Sequence, residues 1–214
     1  MSLEELAVVR QLLAGLVTGE ARSLEDFRTS YDEAGKAFGL PEGVTVTPVS
    51  AGRVPGEWLA PAAGAGKRVL LYLHGGGYAL GSLDSHRHLA AHTALALNGR
   101  VLLIDYRRSP EHPFPAAVDD ALAAYRWLTE TGVDPAKLAV AGDSAGGGLT
   151  VAVLLAARDA GLRLPAAAVC ISPWANLENK GASYGAKANV DPMVRHADLE
   201  LWTAAYLGTS TPRR

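Results

Sequence analysis

The sequence predicts an α/β fold in which a mostly parallel sheet carries helices on both faces. Short apolar runs bounded by glycine alternate with helical segments of ten or more residues, as expected for strands that are buried on both sides. The chain of 214 residues is 49% hydrophobic and 20% charged, which is enough apolar material for a sizeable core. These observations favour one layered domain over a disordered chain.

The first forty residues predict two amphipathic helices. Their apolar faces repeat at helical spacing, through Leu3, Leu6, Leu13 and Val17 in the first helix and through Leu24, Phe27, Tyr31, Ala34 and Phe38 in the second. Ser23 followed by Asp26 predicts the N-cap of the second helix, and Gly39 with Pro41 predicts its end.

The strands of the predicted sheet begin after these helices. Apolar and polar residues alternate from Val44 to Val49, as in a half-exposed strand, and a second short strand is expected around Trp58. The sequence then predicts buried strands and intervening helices. The strands are expected at residues 69–73, 101–105, 138–141 and 166–171, and the helices at 84–98, 116–131, 145–160 and 198–207.

Composition argues against two classes of partner. Twenty basic residues against 22 acidic ones give a net charge of −2, which provides no basic surface for nucleic acid or for an anionic membrane. Glu4 and Glu5 have the wrong charge for a signal peptide and no run of 18 apolar residues occurs, so we expect a cytoplasmic protein without membrane insertion. The single cysteine, Cys170, lies in an apolar run that predicts a buried, unreactive thiol.

Residues 142–146 (GDSAG) follow a predicted strand directly and open an alanine- and leucine-rich helix. This context of strand, sharp turn and helix is that of a nucleophile elbow, in which a serine, here Ser144, exposes its hydroxyl above the sheet. The flanking glycines allow the strand and the helix to approach without a side-chain clash. Taken alone, the pattern also fits a glycine-rich turn with an incidental serine.

Residues 74–78 (HGGGY) close the strand expected at 69–73. A run of glycines there can aim backbone N–H groups at one point, as an oxyanion hole requires, and Ala145 after the nucleophile supplies one more N–H. We expect valine at positions 75–77 to reduce turnover more than stability, because it would displace these groups while distorting only a surface loop. A flexible loop is the alternative, and the joint occurrence of both motifs argues against it.

The sequence resembles the hormone-sensitive-lipase-like esterases of the α/β-hydrolase fold. Five ordered motifs carry the resemblance, at residues 74–78, 105–107, 110–117, 142–147 and 172–174. The resemblance implies hydrolysis of small or medium carboxylic esters through a serine nucleophile and an acyl-enzyme, without a metal or an organic cofactor.

The resemblance also implies roles for particular residues. The nucleophile is Ser144, the oxyanion donors are Gly76, Gly77 and Ala145, and the motifs are supported by His74, Gly75 and Asp143. Residues 1–42 are implied to form a helical lid, 43–174 the hydrolase core and 175–214 a lid-related segment. The width of the acyl pocket is expected to depend on the side chains of Phe27, Tyr31, Tyr184 and Trp202.

The C-terminal part of the sequence departs from the family pattern. In the family, the acid and the histidine of the triad follow the nucleophile beyond two further strands, whereas the only histidine after Ser144 is His196, near Asp191 and Asp198. We therefore expect a truncated form whose catalytic base lies outside this sequence, with the strand at 166–171 left as an exposed edge. Such a chain is expected to aggregate, to form a homo-oligomer, or to require a complementing C-terminal fragment.

Other patterns are weaker. His88 and His92 would share a helix face, but no glutamate follows the first histidine and no further ligand completes a metal site. Residues 64–67 (GAGK) resemble the end of a phosphate loop. Pro61, however, stands where the first glycine of that motif belongs, and Arg68 stands where it has serine or threonine. The adjacent Glu111 and His112 are expected to anchor a loop.

The second functional hypothesis is a binding module on an impaired hydrolase scaffold. Reactivity with a fluorophosphonate would distinguish an enzyme from such a module.

Overall fold

The computed structural model describes residues 2–17, 23–188, 190–191 and 193–210. In chain order the elements are α1 (Leu3–Val17), α2 (Leu24–Lys36), β1 (Val44–Ala51), β2 (Val54–Pro61), β3 (Val69–Leu73), α3 (Leu83–Leu97), β4 (Arg100–Ile104), α4 (Ala116–Glu130), β5 (Leu138–Asp143), α5 (Ala145–Asp159), β6 (Ala167–Ile171), α6 (Ala182–Ala186) and α7 (His196–Leu207). A single 3-10 turn, Pro135–Lys137, precedes β5. Within the described ranges, no helix combines the length and the apolar character needed to cross a membrane.

The strands of the described chain form one sheet in the order β1-β2-β4-β3-β5-β6. β2 pairs antiparallel with β1 and with β4, whereas β4, β3, β5 and β6 pair parallel. The predicted α/β fold is confirmed, and the predicted strands and helices agree with the observed ones to within about two residues at most ends. The short helix α6 had no counterpart among the predicted elements.

Helices cover both faces of the parallel part of the sheet. Leu71 and Leu73 of β3 belong to a core shared with α4 and α5, whereas Leu70 and Tyr72 belong to a second core formed with α3. Successive side chains of a strand point to opposite faces, so a strand covered on both sides must be hydrophobic throughout, and all five residues of β3 are buried. The loop of residues 74–78 therefore starts from the middle of the sheet.

One arginine fixes α2 to the loops at the carboxyl end of the sheet. Ser23 and Asp26 form the expected capping box at the start of α2. Arg28 donates to the carbonyl oxygen of Ala79 at 2.8 Å and to both carboxylate oxygens of Glu111 at 2.8 and 2.7 Å. The hydrogen bond from Arg28 lowers the pKa of Glu111 to about 2. These contacts fit the anchoring role expected for Glu111.

The helix α1 is less well packed than α2. Leu3, expected on its apolar face, is 86% exposed, and Leu6 is only partly buried. The side chains of Leu13 and Val17 lie outside the described part of the chain. The amphipathic pattern therefore predicts the helix itself correctly, but Leu3 is not buried.

The strand β6 forms an edge of the described sheet, as expected for the apolar run at 166–171. It pairs with β5 on one side, and all five of its residues are exposed. The expectation that Cys170 is buried is wrong, because its strand lies at this edge and leaves the residue exposed. Val169 and Ile171 are also half exposed. An uncharged apolar edge of this kind is a template for pairing with another chain.

Replacing Val169 with lysine should convert the 214-residue chain from an associated to a monomeric form, because a charge on an apolar edge strand opposes pairing. Hydrodynamic mass is compared with the 22.3 kDa of one chain. Leu40→Lys is the matched control, since Leu40 is also 50% exposed but lies in the loop after α2. A wild-type chain that is already monomeric would contradict the argument.

Candidate active site

Ser144 lies at the turn between β5 and α5, with φ of 52° and ψ of −119°. A positive φ is uncommon for a residue with a side chain and costs on the order of 1–3 kcal/mol. Three backbone bonds hold the turn: Ser144 N–H donates to the carbonyl of Ile171 at 2.9 Å, and the carbonyl of Ser144 accepts from Trp174 N–H at 2.8 Å and from Gly148 N–H at 3.1 Å. The sharp turn predicted between strand and helix is therefore present.

Glycines on either side of this turn allow α5 to approach β3. A Cβ atom at Gly142 would collide with the carbonyl oxygen of Gly146, and a Cβ atom at Gly146 would collide with the carbonyl oxygens of Leu73 and His74. A side chain at either position would push α5 away from the end of β3. The glycine pattern is therefore required by packing.

The loop of residues 74–78 lies beside the turn. β3 and β5 are neighbouring parallel strands, with Leu73 paired to Gly142. The N–H of Gly75 donates to Oδ1 of Asp143 at 3.1 Å. The structure thus brings the two glycine-rich motifs together at the carboxyl end of the sheet.

Three backbone N–H groups at this place have no partner among the residues that the structure describes. Gly76 and Gly77 have φ of 115° and 62°, a region that glycine adopts without steric cost. Within the described ranges, the amides of Gly76, Gly77 and Ala145 have no hydrogen-bond acceptor. These donors are therefore available to a ligand oxygen.

A buried polar cluster connects the two motifs. Oδ1 of Asp143 accepts from the Tyr72 hydroxyl at 3.0 Å and from Gly75 N–H, and Nε2 of His86 lies 3.3 Å from the same oxygen. Burial tends to raise the pKa of Asp143, but its interactions with His86 and Tyr72 outweigh burial, so that the pKa lies below its usual value. The sequence motifs did not identify His86, because its contact with Asp143 depends on how α3 packs.

His74 is fully buried and neutral. Its ring stacks on Tyr106 with the centroids 4.1 Å apart, and its Nδ1 lies 2.8 Å from the carbonyl oxygen of Gly75. The Tyr106 hydroxyl donates to the carbonyl oxygen of His74 at 2.6 Å. Burial lowers the pKa of His74 to about 3. His74 therefore supports the loop without exchanging protons near neutral pH.

Aromatic side chains of α2 and α7 meet at the same loop. The Trp202 ring is so close to Gly77 that a Cβ atom there would lie 3.1 Å from it. Phe27 contacts Trp202 edge to face, with centroids 6.4 Å apart. Tyr206 stacks on Tyr78 at 3.8 Å. The aromatic contacts thus hold α7 against the loop.

A groove of about 980 Å³ opens beside α7. Its wall is mainly aromatic and apolar and includes Tyr78, Phe114, Gly148, Trp174, Tyr206 and Leu207. Gly148 follows Ser144 by one helical turn, so the groove borders α5 near the elbow. The groove is not lined by the four side chains expected to set the pocket width, Phe27, Tyr31, Tyr184 and Trp202.

No described histidine hydrogen-bonds to Ser144, whose Oγ has no hydrogen-bond partner within the described ranges. Nε2 of His196 lies 3.0 Å from the carbonyl oxygen of Asn179, and its ring lies beside Tyr184. His88 stacks on the ring of Phe38. The part of the chain that the structure describes holds no group of three or more acidic, histidine or cysteine residues placed to share a metal ion.

Comparison with known proteins gives one consistent family. Residues 70–214 match the model of a family with the α/β-hydrolase fold. An acetyl-hydrolase of Streptomyces hygroscopicus is 49% identical over 216 residues, which cover all of this chain and 71% of that protein. The carboxylesterase NlhH of Mycobacterium tuberculosis is 47% identical over 97 residues, which cover 44% of this chain and 30% of that protein.

A solved structure extends the likeness to three dimensions. An esterase from the bacterial hormone-sensitive lipase family superposes with a TM-score of 0.96 at 40% identity, over all of this chain and 72% of that chain. The sheet order, the strained turn and the glycine loop define a hydrolase of the α/β-hydrolase fold. The chain belongs to the hormone-sensitive-lipase-like esterases of that fold, as its five motifs indicated.

Acid should destabilise the chain through His74. Its pKa is about 3 when buried, against an ordinary 6.5. Between these values the unfolded chain binds a proton that the folded chain does not. This contribution to stability is therefore complete above about pH 6.5 and falls by about 1.4 kcal/mol for each pH unit below it.

Urea unfolding at a series of pH values across this range measures how steeply the free energy of unfolding depends on pH. His74→Gln should reduce it, whereas His92→Gln, which changes an exposed histidine of α3, should leave it unchanged. An equal slope in wild type and His74→Gln would show that other groups account for the acid sensitivity.

Proposed function

We propose that the chain is a carboxylic ester hydrolase with Ser144 as its nucleophile. The hydroxyl oxygen attacks the ester carbonyl carbon, the alcohol leaves with a proton, and water then releases the acid from the acyl-enzyme. The amides of Gly76, Gly77 and Ala145 donate to the oxyanion that forms on the carbonyl oxygen. Such a donor is worth about 2.7–4 kcal/mol in a well-studied serine protease.

The meeting of the two motifs is the observation that carries this proposal. The bond from Gly75 N–H to Asp143 joins the glycine loop to the residue directly before Ser144. A strained serine beside backbone donors without partners is the arrangement that acyl transfer requires. A merely structural turn would not need those donors to be free.

The base that activates Ser144 is not assigned to a described residue. No described side chain hydrogen-bonds to its Oγ, and His196 is engaged with Asn179. Because serine is a poor nucleophile without an adjacent base, we assign the acid and the histidine to a complementing C-terminal segment. The exposed edge of β6 offers backbone groups with which the strands of such a segment could pair.

Relatives and the groove indicate the class of ester. An acetyl-hydrolase and a carboxylesterase are among the similar proteins, which supports small or medium acyl groups. The apolar wall of the groove suits the hydrocarbon part of such a substrate. We further propose that residues 1–42 and 175–214 form a lid on the core at 43–174, since Phe27 and Trp202 contact each other from those two segments.

In a form that carries the complementing C-terminal segment, Ser144→Ala should abolish labelling by a fluorophosphonate and lower turnover of p-nitrophenyl acetate by about 10⁴- to 10⁶-fold, because the atom that forms the acyl bond is removed. Mass spectrometry of the proteolytic peptide locates the label. Ser210→Ala, on the groove wall, is the control and should keep the label. Turnover of Ser144→Ala within a few-fold of wild type would contradict the assignment of Ser144 as the nucleophile.

The expectation for valine in the glycine loop needs correction. A Cβ atom at Gly75 would collide with the Asp143 side chain, and one at Gly76 would lie 2.5 Å from the backbone of Leu80. Valine at these two positions would therefore disturb buried contacts as well as the amides, so stability would fall together with turnover.

Gly77→Ala tests the oxyanion donors more cleanly, because a side chain there meets the Trp202 ring, which can shift. Gly161→Ala is the matched control, with φ of 69° against 62° and no atom within 4 Å of the added Cβ. Each substitution costs about 1–2 kcal/mol of backbone strain. Only Gly77→Ala should also reduce turnover, by about 10- to 100-fold. If Gly77→Ala and Gly161→Ala had equal turnover, the glycine loop would have only a structural role.

A further inference from the structure

His86 lies outside the motifs that the proposed function uses, yet its side chain is buried against them. It belongs to the first turn of α3, and the residue is only 5% exposed. Its Nε2 lies 3.3 Å from Oδ1 and 3.4 Å from Oδ2 of Asp143, and it accepts from Gly75 N–H at 3.3 Å. One ring nitrogen of His86 therefore reaches both the elbow and the glycine loop.

The hydrogen-bond inventory makes Nε2 an acceptor. Gly75 N–H donates both to Nε2 at 3.3 Å and to Oδ1 of Asp143 at 3.1 Å, so its proton lies between the ring and the carboxylate. A proton on Nε2 would face this N–H group, which is repulsive. With a lone pair on Nε2, His86 becomes the second acceptor for the Gly75 amide.

The other ring nitrogen is held by the start of α3. Nδ1 lies 2.8 Å from the hydroxyl oxygen of Ser85. That oxygen also accepts from Ser82 N–H at 2.8 Å, as half of the capping box of α3. The Ser85 hydroxyl donates its one proton to the carbonyl oxygen of Ser82 at 3.0 Å, so it accepts from Nδ1–H, and the ring is fixed at both nitrogens.

We propose that His86 is a positioning residue that acts through Gly75 on the oxyanion loop. By accepting at Nε2, it holds the Gly75 N–H group in the direction in which Oδ1 of Asp143 also accepts from it, and so sets the direction of the Gly76 and Gly77 amides. This inference rests on the proposed function, because it gives a purpose to the loop whose donors bind the oxyanion.

Two conservative variants separate the two ring nitrogens. His86→Gln places its side-chain amide near the position of Nε2 and keeps an acceptor, the carbonyl oxygen, for Gly75 N–H. His86→Asn places its amide near Nδ1 and leaves Gly75 N–H without that acceptor. His92→Asn, at an exposed position later in α3, is the control for histidine loss on the same helix.

Turnover is measured in a form that carries the complementing segment, and the glycine amides are followed in the same variants. We expect His86→Asn to lower kcat about 10- to 100-fold with KM within about two-fold, because a small misplacement of donors acts on the transition state. His86→Gln and His92→Asn should stay within a few-fold of wild type. Equal losses of kcat in His86→Gln and His86→Asn would overturn the proposal.

Nuclear magnetic resonance provides a readout that does not need turnover. With Val169→Lys in every variant to limit association, the amide resonances of residues 75–77 should move in His86→Asn and stay in place in His86→Gln, well below the melting temperature. The imidazole of His86 should show a one-bond N–H coupling at Nδ1. A protonated Nε2, or glycine amides unmoved in His86→Asn, would overturn the proposal even if Ser144 proves inactive. Loss of turnover by itself tests only the proposed function.

Discussion

The close approach of α5 to the end of β3 is the constraint on which the rest of the site depends. Gly146 lies so near the carbonyl oxygens of Leu73 and His74 that no side chain fits between them. Because β3 and β5 are adjacent parallel strands, this approach places the turn at Ser144 and the loop after β3 at the same edge of the sheet. Strained backbone of this kind persists only where the surrounding core holds it in place.

The helices around this edge contribute in different ways. α5 starts directly after Ser144 and presents the N–H group of its first residue, Ala145. α3 instead contributes a side chain, that of His86, to the polar cluster. α2 is attached through the charged pair of Arg28 and Glu111, and α7 through stacked and edge-to-face aromatic rings. The parts closest to the chemistry are therefore fixed by backbone packing, and those farther out by side chains.

Most of the fold could be predicted because its signals are local. A strand covered on both faces must be hydrophobic throughout, as β3 is, and the glycines at 142–146 mark a close backbone approach whatever surrounds them. The exposure of Cys170 could not be predicted in the same way, since an apolar strand does not specify whether a neighbour covers it.

The polar cluster also lay beyond sequence reasoning. The contact between His86 and Asp143 joins residues 57 positions apart and depends on the packing of α3 against the sheet. Helical spacing drew attention to His88 and His92 instead, because periodicity shows which residues share a face but not what that face meets. Glycine and strand patterns can be recognised within one segment of the sequence, whereas a buried hydrogen bond depends on two residues that are distant in the sequence.

The position of β6 has a consequence for the lifetime of the reactive turn. Its last residue, Ile171, accepts the bond from Ser144 N–H, and Trp174 just beyond it donates to the Ser144 carbonyl, so two of the three backbone bonds at Ser144 involve the edge strand and the residues that follow it. Edge strands open locally at lower free energy than central strands, as hydrogen exchange reveals. Each opening of β6 would remove these two bonds from the strained serine. A partner that closes the sheet at β6 would therefore suppress this fluctuation and lengthen the time for which the nucleophile is held in place.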